Sequence, residues 1–367
     1  MTDSSTDLNM ARLLTILRGV LAEPSCCPDD PWQRVILTPG ARSSVASGAA
    51  LDLAGVAGSL ADEELRGQLR AGLAQSKVRP DKVRVPGGSA YCIERGAVPA
   101  PLQNDIALVT GAAGAIGAGI CRGLLSKGAH VVAADLAREA LDDLVRELDP
   151  AAPGRIIGVV MDVTDAASVA AGFNAAAAAW GGVDIVVVNA GIAMVAPLVD
   201  LELEAFRRLE RVNVEGTLLT LAEAGRCLCR QATGGDIILV STKNVFAPGA
   251  QFGAYSATKA AAHQLARIAS LELARFDIRV NMVAPDAVFS GGQRKSGLWA
   301  EVGPSRMKAR GLDEKGLEDY YRDRNLLKAR VTPEHVANAV LFFATRQTPT
   351  TGATIPVDGG LPDATPR

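Results

Sequence analysis

The chain has 367 residues, and its balance of 48% apolar to 21% charged side chains supports a buried core and excludes wholesale disorder. Its 38 basic and 40 acidic side chains leave a net charge of −2, which gives no electrostatic footprint for nucleic acid or an anionic membrane. Only three histidines occur, isolated at His130, His263 and His335, so no metal centre is expected, and 4% aromatic content excludes a stacking platform for single-stranded nucleic acid.

The N-terminus starts with acidic residues and a short apolar stretch broken by Arg18, unlike a signal or transit peptide. No run of about eighteen apolar residues follows, so no membrane span is expected, and a reducing cytoplasm is the expected location. Periodicity predicts an amphipathic helix over 9–23, then a polar stretch, the apolar run RVILT, and a second helix over 51–75. The segment KVRVPGGSAYCIERG predicts two short strands about Gly87-Gly88, and GAVPAPLQND reads as a linker. The first hundred residues carry no catalytic constellation; residues 1–100 are expected to form an appendage, for oligomerisation or for covering a pocket, ahead of a catalytic domain over 101–367. The six cysteines, Cys26, Cys27, Cys92, Cys121, Cys227 and Cys229, follow no disulfide or metal spacing and read as incidental thiols.

From Ile106 the apolar runs IALVT, HVVAAD, RIIGVVMD, DIVVVNA, DIILVST and IRVNMVAP alternate with Ala- and Leu-rich helical stretches, 166–180 among them. Strands apolar on both faces require a parallel sheet covered on both sides, so the expected fold is a doubly wound α/β layer with a small N-terminal α+β appendage. The first run enters Thr110-Gly111-Ala112-Ala113-Gly114-Ala115-Ile116-Gly117 and then a helix. Glycines 111, 114 and 117 between strand and helix suit a pyrophosphate held at the helix N-terminus, with Ala115 and Ile116 beside it. Asp135 ends the second strand eighteen positions after Gly117, where a carboxylate accepts from an adenosine ribose and repels a 2′-phosphate. NAD is therefore expected over NADP, with Leu136 alongside and Arg138 as the nearest basic residue. Asp162, followed by Val163, suits either the adenine amino group or the cap of its own turn.

Tyr255-Ser256-Ala257-Thr258-Lys259 sets a phenol and an ammonium four apart on one helix face, where the lysine can lower a phenol pKa of about 10. These motifs, with Asn189-Ala190-Gly191, Asn213 in RVNVEG and the terminal IPVDGG, resemble the short-chain dehydrogenase/reductase family from about Asn104 onward. The resemblance implies a Rossmann fold and an NAD-dependent alcohol/carbonyl oxidoreductase. It makes Tyr255 the acid/base and Lys259 its tuner and ribose ligand. Asn213 would hold a relay water, and Asn189, Ala190 and Gly191 would steady the core beside the cofactor.

The chain departs from that family at three places. Thr242 stands thirteen residues before Tyr255 where a serine is usual, and the glycine turn reads TGxxGxxG. Pro285-Asp286 replaces Pro-Gly, with Val288 and Ser290 still at positions suited to the nicotinamide. STKN, PGAQFGAYSATKAA, VAPDAVFSGG and YYRDRNLLK are similar to the dehydrogenase half of bifunctional rhamnulose-phosphate aldolase/dehydrogenase proteins; the aldolase half needs histidines that residues 1–100 lack. The implied substrate is a small polar hydroxy or carbonyl compound: a sugar, polyol or hydroxyaldehyde, possibly anionic. Thr242, Lys243, Asn244, Tyr255 and Asp286 are its expected ligands. The segment 289–330, with Trp299, Tyr320, Tyr321, Arg322 and Arg324, reads as a lid or as a pair of dimer helices. Assembly as a homodimer or homotetramer is implied by the resemblance. A retained-NAD epimerase or dehydratase is one alternative, though it would need a larger C-terminal domain. A non-catalytic NAD-binding scaffold is another, against which the intact Tyr255, Lys259 and Asn213 argue.

Overall fold

The structure, a computed structural model, describes residues 4–25, 30, 32–40, 50–53, 60–76, 79–86, 89–95, 100–291 and 294–361, with 4–9, 290, 291, 295 and 298 described by their backbone alone. Cys26, Cys27, the Gly87-Gly88 turn and the first four residues of the expected linker (96–99) lie outside the described residues.

The N-terminal elements are α1 (Ser4–Leu21), β1 (Glu23–Pro24), β2 (Trp32–Gln33), β3 (Ile36–Gly40), β4 (Ala50–Asp52), α2 (Asp62–Gln75), β5 (Lys82–Arg84) and β6 (Ala90–Glu94). Strands β3-β6-β5-β4 form a small mixed sheet. Its apolar face closes with α1 and α2 over Leu13, Leu14, Leu17, Leu65, Leu69, Val83 and Ile93. The expected helix over 51–75 is corrected: Leu51 and Leu53 alternate with exposed Asp52, a period of two, and Ala50–Asp52 pairs in parallel with β5, so the helix begins only at Asp62.

The rest of the chain continues β7 (Ile106–Thr110), α3 (Ala115–Ser126), β8 (His130–Asp135), α4 (Arg138–Leu148), β9 (Ile156–Val160), α5 (Ala166–Trp180), β10 (Ile185–Val188), α6 (Leu203–Glu210), α7 (Gly216–Gln231), β11 (Gly235–Val240), α8 (Gly253–Leu273) and β12 (Ile278–Pro285). A two-strand ribbon, β13 (Ser290–Gly291) and β14 (Arg294–Lys295), then leads to α9 (Gly297–Arg310), α10 (Glu314–Arg324), α11 (Pro333–Ala344) and β15 (Thr354–Val357). Seven parallel strands are ordered β15-β12-β11-β10-β7-β8-β9. This is the expected doubly wound α/β fold. Side chains from α3, α4 and α11 pack on one face and from α5, α7 and α8 on the other, which is why the strands carry apolar residues on both sides. The strand order reverses between β7 and β10. A ligand crevice belongs beyond the carboxyl ends of the strands at that point.

Arg18, read in the sequence as a break in an apolar stretch, joins the two parts. It is 1% exposed and donates twice to Asp184 (2.8 and 2.7 Å), to the Asn104 carbonyl (2.8 Å) and to the Val35 carbonyl (2.7 Å). Arg34 extends the network: its Nε lies 3.0 Å from Asp184, and its Nη atoms reach Asp30, Asp105 and the Thr233 carbonyl. These partners sit just before β7, β10 and β11, at the amino ends of the strands, opposite the crevice. The described contacts of the appendage thus lie away from the crevice. On the same side of the molecule, Trp180 at the end of α5 meets His130 edge-on, ring centroids 5.1 Å apart.

Candidate active site

The turn after β7 starts at Gly111, whose φ of +63° lies in the left-handed region and whose Cβ, if present, would stand 2.9 Å from the Ala190 Cα. A Cβ on Gly117 would come within 2.2 Å of the Gly111 carbonyl oxygen, so that glycine is required by the packing of α3 on its own turn. Gly114 differs. Its φ is −71°, and nothing lies closer to a built Cβ than 3.5 Å. Neither conformation nor the protein's own packing calls for glycine there. The free space opens onto a cavity at the N-terminus of α3, where no side chain caps the helix and the backbone dipole favours an anion. The cradle fits a dinucleotide pyrophosphate.

The cavity has a volume of about 520 Å³ and lies beyond the carboxyl ends of β7, β8, β10, β11 and β12. Among the described residues, none of its lining comes from 1–100. The residues expected to bind nucleotide line it together: Gly111, Gly114 to Gly117, Asp135, Leu136, Asp162, Val163, Asn189 to Gly191, Tyr255, Lys259, Pro285 and Val288. The side chain of Ser290 lies outside the described residues. Asp135 is fixed by the backbone N–H groups of Ala113 (3.0 Å) and Ala137 (3.2 Å), which ties the second strand's end to the glycine turn. Arg138 turns away, 3.7 Å from Asp142, whereas Arg294 of the ribbon donates to the Ala113 carbonyl (3.4 Å) and to Glu147 (3.0 Å). One oxygen of Asp162 caps its own turn, accepting from the backbone N–H and hydroxyl of Thr164 at 2.8 Å each. Asn189 donates to the carbonyls of Thr110 and Gly111 at 3.0 Å each, stapling the β10 end to the glycine turn.

Tyr255 and Lys259 stand one turn apart on α8 and are both buried. Burial pushes the Tyr255 phenol up to about 12, against a hydrogen bond with Thr242 that pulls it down. Burial alone pushes Lys259 down to about 8, and its Nζ donates to the Val240 carbonyl at 3.1 Å. Asn213 lies behind them in a π-helical turn, Arg211–Glu215, between α6 and α7. A Cβ on Gly191 would stand 3.1 Å from both Asn213 Oδ1 and Lys259 Nζ, which shows how closely these groups converge. The amide hydrogens of Asn213 go to the Ile192 carbonyl (2.9 Å) and Thr258 Oγ1 (3.1 Å), while its Oδ1 accepts from the Ile192 N–H (2.9 Å). Its side chain thus has no N–H left for a water; what it pins is the loop after β10.

Thr242, Lys243, Asn244 and Asp286 line the end of the cavity beyond Tyr255. Asp286 departs from a glycine pattern with a visible use, its carboxylate accepting from Arg324 at 2.6 Å, while its backbone N–H donates to Val357 of β15 as a glycine's could. Over this end lie α9 and α10. Trp299 stacks on Phe289 with centroids 4.4 Å apart and meets Tyr321 edge-on. Of the lid residues singled out in the sequence, Trp299, Tyr321 and Arg324 face the cavity; Tyr320 packs under Arg310, and Arg322 pairs with Asp319 and Asp323. Arg306 was missed. It shares one face of α9 with Trp299 and Val302, at i+7 and i+4, and an arginine in that apolar row was the available signal.

Among the described residues no helix is long and apolar enough to cross a membrane, and no cluster of His, Cys, Asp and Glu stands together as a metal site.

Comparisons with known proteins show which family the chain is related to. The family model described as short chain dehydrogenase matches residues 105–300. The uncharacterized oxidoreductase YuxG of Bacillus subtilis is 39% identical over 270 residues, a match that spans 73% of this chain but only 39% of that protein's length. A sorbitol dehydrogenase of Cereibacter sphaeroides is 36% identical over 51% of this chain and 72% of its own. Among solved structures, the sorbitol-6-phosphate 2-dehydrogenase SrlD from Erwinia amylovora superposes with a TM-score of 0.64 at 30% identity, covering 70% of this chain and 98% of its own. The chain belongs to the short-chain dehydrogenase family of NAD(P)-dependent oxidoreductases.

Proposed function

We propose that the protein is an NAD-dependent dehydrogenase that interconverts an alcohol and a carbonyl on a small polar substrate, a sugar, a polyol or a sugar-derived hydroxyaldehyde. The observation that carries this reading is the convergence of Tyr255, Thr242 and Lys259 in one buried cavity, continuous with the glycine cradle. When bound, the dinucleotide supplies the hydride acceptor or donor. Gly114 and the open N-terminus of α3 would hold its pyrophosphate, and Asp135 the adenosine ribose, which favours NAD over NADP.

Tyr255 exchanges the proton at the substrate oxygen, and Thr242 holds that oxygen by its hydroxyl; threonine keeps the donor that serine would bring. A buried phenol of high pKa is a poor base. The buried ammonium of Lys259, close to the proton path, lowers that barrier by favouring the phenolate. Asn213 positions the Ile192 loop over this group.

Two relatives named for sorbitol and its phosphate support a polyol-type substrate. The likeness to the dehydrogenase half of rhamnulose-phosphate aldolase/dehydrogenase proteins belongs to the same proposal. Its support is the segments STKN, PGAQFGAYSATKAA, VAPDAVFSGG and YYRDRNLLK, together with the Pro285-Asp286 departure. Assembly as a homodimer or homotetramer in the cytoplasm is proposed with it; Leu198 and Val199, 78% and 92% exposed, are apolar surface that such an assembly would cover.

The test is NADH formation from NAD with a panel of polyols, sugar acids, hydroxyaldehydes and sugar phosphates, run beside Tyr255→Phe. Turnover by the wild type that falls by at least ~10³-fold in Tyr255→Phe is expected. Turnover that survives the substitution would refute the assignment.

A further inference from the structure

Beyond Tyr255 the cavity ends in an arrangement of charge that the oxidoreductase chemistry does not itself require. Arg306 is 6% exposed, yet among the described residues it has no carboxylate in ion-pair contact. Its guanidinium lies over the Phe252 ring (5.1 Å to the centroid), and its two Nη atoms make only long contacts of 3.4 Å, to Gln251 Oε1 and the Tyr321 hydroxyl. Its Nε is buried without any partner. Arg18, Arg34 and Arg346 are comparably buried, and each stands on a carboxylate.

Lys243 repeats the pattern. It is 8% exposed and its Nζ donates to the Ala247 carbonyl at 3.0 Å, with no ion pair among the described residues. Burial lowers its pKa; Asp286 works against that, and Arg324 and Arg306 add to it, so the three cations feel one another across this end of the cavity. Arg324 is paired with Asp286 at 2.6 Å and keeps an unpartnered buried Nε. Glu301, the other carboxylate at this end, is half exposed and reaches outward to Arg208. Three cations against Asp286 leave two positive charges facing the cavity. An uncompensated charge in such a place is costly unless a ligand completes the pair.

We propose that Arg306, Lys243 and Arg324 form an anion-binding arm of the substrate site, and that the substrate is a polyol or hydroxyaldehyde bearing a terminal phosphate monoester. A phosphate monoester carries about −1.5 to −2 at pH 7 and matches the two unopposed charges, and its oxygens suit the guanidinium fork. Arg306 is the specificity determinant: of the two guanidinium groups it is the one without a carboxylate partner among the described residues, and it lies over the Phe252 ring that meets Tyr255. The proposal rests on the dehydrogenase reading for the alcohol end of the substrate and on the charge geometry alone for the other.

The experiment has two arms. In the first, kcat/KM with NAD is measured for glycerol against glycerol 3-phosphate and sorbitol against sorbitol 6-phosphate, with gluconate and a hydroxyalkylsulfonate as single-charge anions. The enzymes compared are the wild type, Arg306→Gln, Arg306→Lys and Lys243→Met. In the second arm, binding of inorganic phosphate is measured by calorimetry with ADP-ribose present in excess to fill the glycine cradle. The wild type should prefer the phosphorylated member by ~100-fold and bind phosphate. Arg306→Gln should lose at least ~30-fold of that preference, chiefly in KM, with its phosphate binding, and Arg306→Lys should recover part of both.

Equal kcat/KM for the two members of each pair, without phosphate binding, would overturn the anion arm and leave the dehydrogenase standing. Arg306-dependent phosphate binding with no turnover of any compound would support the anion arm and refute the dehydrogenase. A preference for gluconate or the sulfonate would overturn the phosphate assignment. A phosphate preference unchanged in Arg306→Gln and Lys243→Met would overturn the residues named.

Discussion

Replacing Arg18 by methionine tests how the N-terminal appendage is held. The long apolar stem is kept, so the loss isolates the guanidinium. That group makes four hydrogen bonds, two of them bidentate to Asp184, itself 2% exposed. Removing one partner of a buried pair typically costs 3–5 kcal/mol. Here the lower end applies, because Asp184 keeps Arg34 beside it and accepts from the Ile106 N–H and Gln231 at 2.8 Å each. The carbonyls of Val35 and Asn104 each lose a donor, worth about 1 kcal/mol apiece. The expected loss is therefore about 5 kcal/mol, read by urea denaturation at pH 7 from the midpoint at constant slope. Asp184→Asn in the Arg18→Met background should cost less than the two single losses added. Turnover per folded molecule should not change, since the network lies at the opposite ends of the strands from the cavity. A loss below 1 kcal/mol, or a fall in kcat without loss of stability, would refute the argument.

Other outcomes follow from the site. Gly114→Ala should leave stability within about 0.5 kcal/mol and weaken nucleotide binding about tenfold, measured by calorimetry, because only a ligand needs that space. Lys259→Met should abolish turnover yet stabilise the fold. The folded pKa of about 8 lies below the unfolded value of 10.5, so the native ammonium is held at a cost of about 3 kcal/mol that is fully present below pH 8. That cost fades as pH rises from 8 to beyond 10.5, so the gain in Tm over wild type should be largest at pH 7 and shrink by pH 10. Asp135→Asn should cut the ratio of kcat/KM for NAD over NADP by ~10-fold or more, by removing a like charge from the 2′-phosphate; an unchanged ratio would locate the discrimination elsewhere, with Arg294 at the glycine turn the next residue to test.

Six strands of the sheet were legible because a strand buried on both faces must be continuously apolar, and few other structures demand IALVT or DIILV in that rhythm; the seventh, Thr354–Val357, lies at the edge, is only partly buried and carries no such run. The helix Ala166–Trp180 was legible for the opposite reason, as its alanines suit close packing on a sheet. Tyr255, Lys259 and the glycine turn lie in short segments whose spacing alone fixes their geometry. Arg18 and Arg306 were not legible as partners. What makes them exceptional is the distant residue they meet or fail to meet: Asp184 lies 166 positions from Arg18, and no local spacing encodes it. The strand at Ala50–Asp52 was hidden likewise, since its pairing with Lys82–Arg84 is remote in sequence and only three residues long.

The chain contains three tryptophans, and the fold puts each in a different part: Trp32 in the N-terminal ribbon, Trp180 at the foot of the sheet against His130, and Trp299 at the mouth of the cavity. Intrinsic fluorescence can therefore be made local. Exchanging two of the three for phenylalanine leaves a single optical reporter for the appendage, the sheet or the active-site roof. Trp299, sandwiched between Phe289 and Tyr321 on a surface that meets the substrate space, is the one whose emission should change when the cavity fills, which makes ligand arrival visible without any turnover.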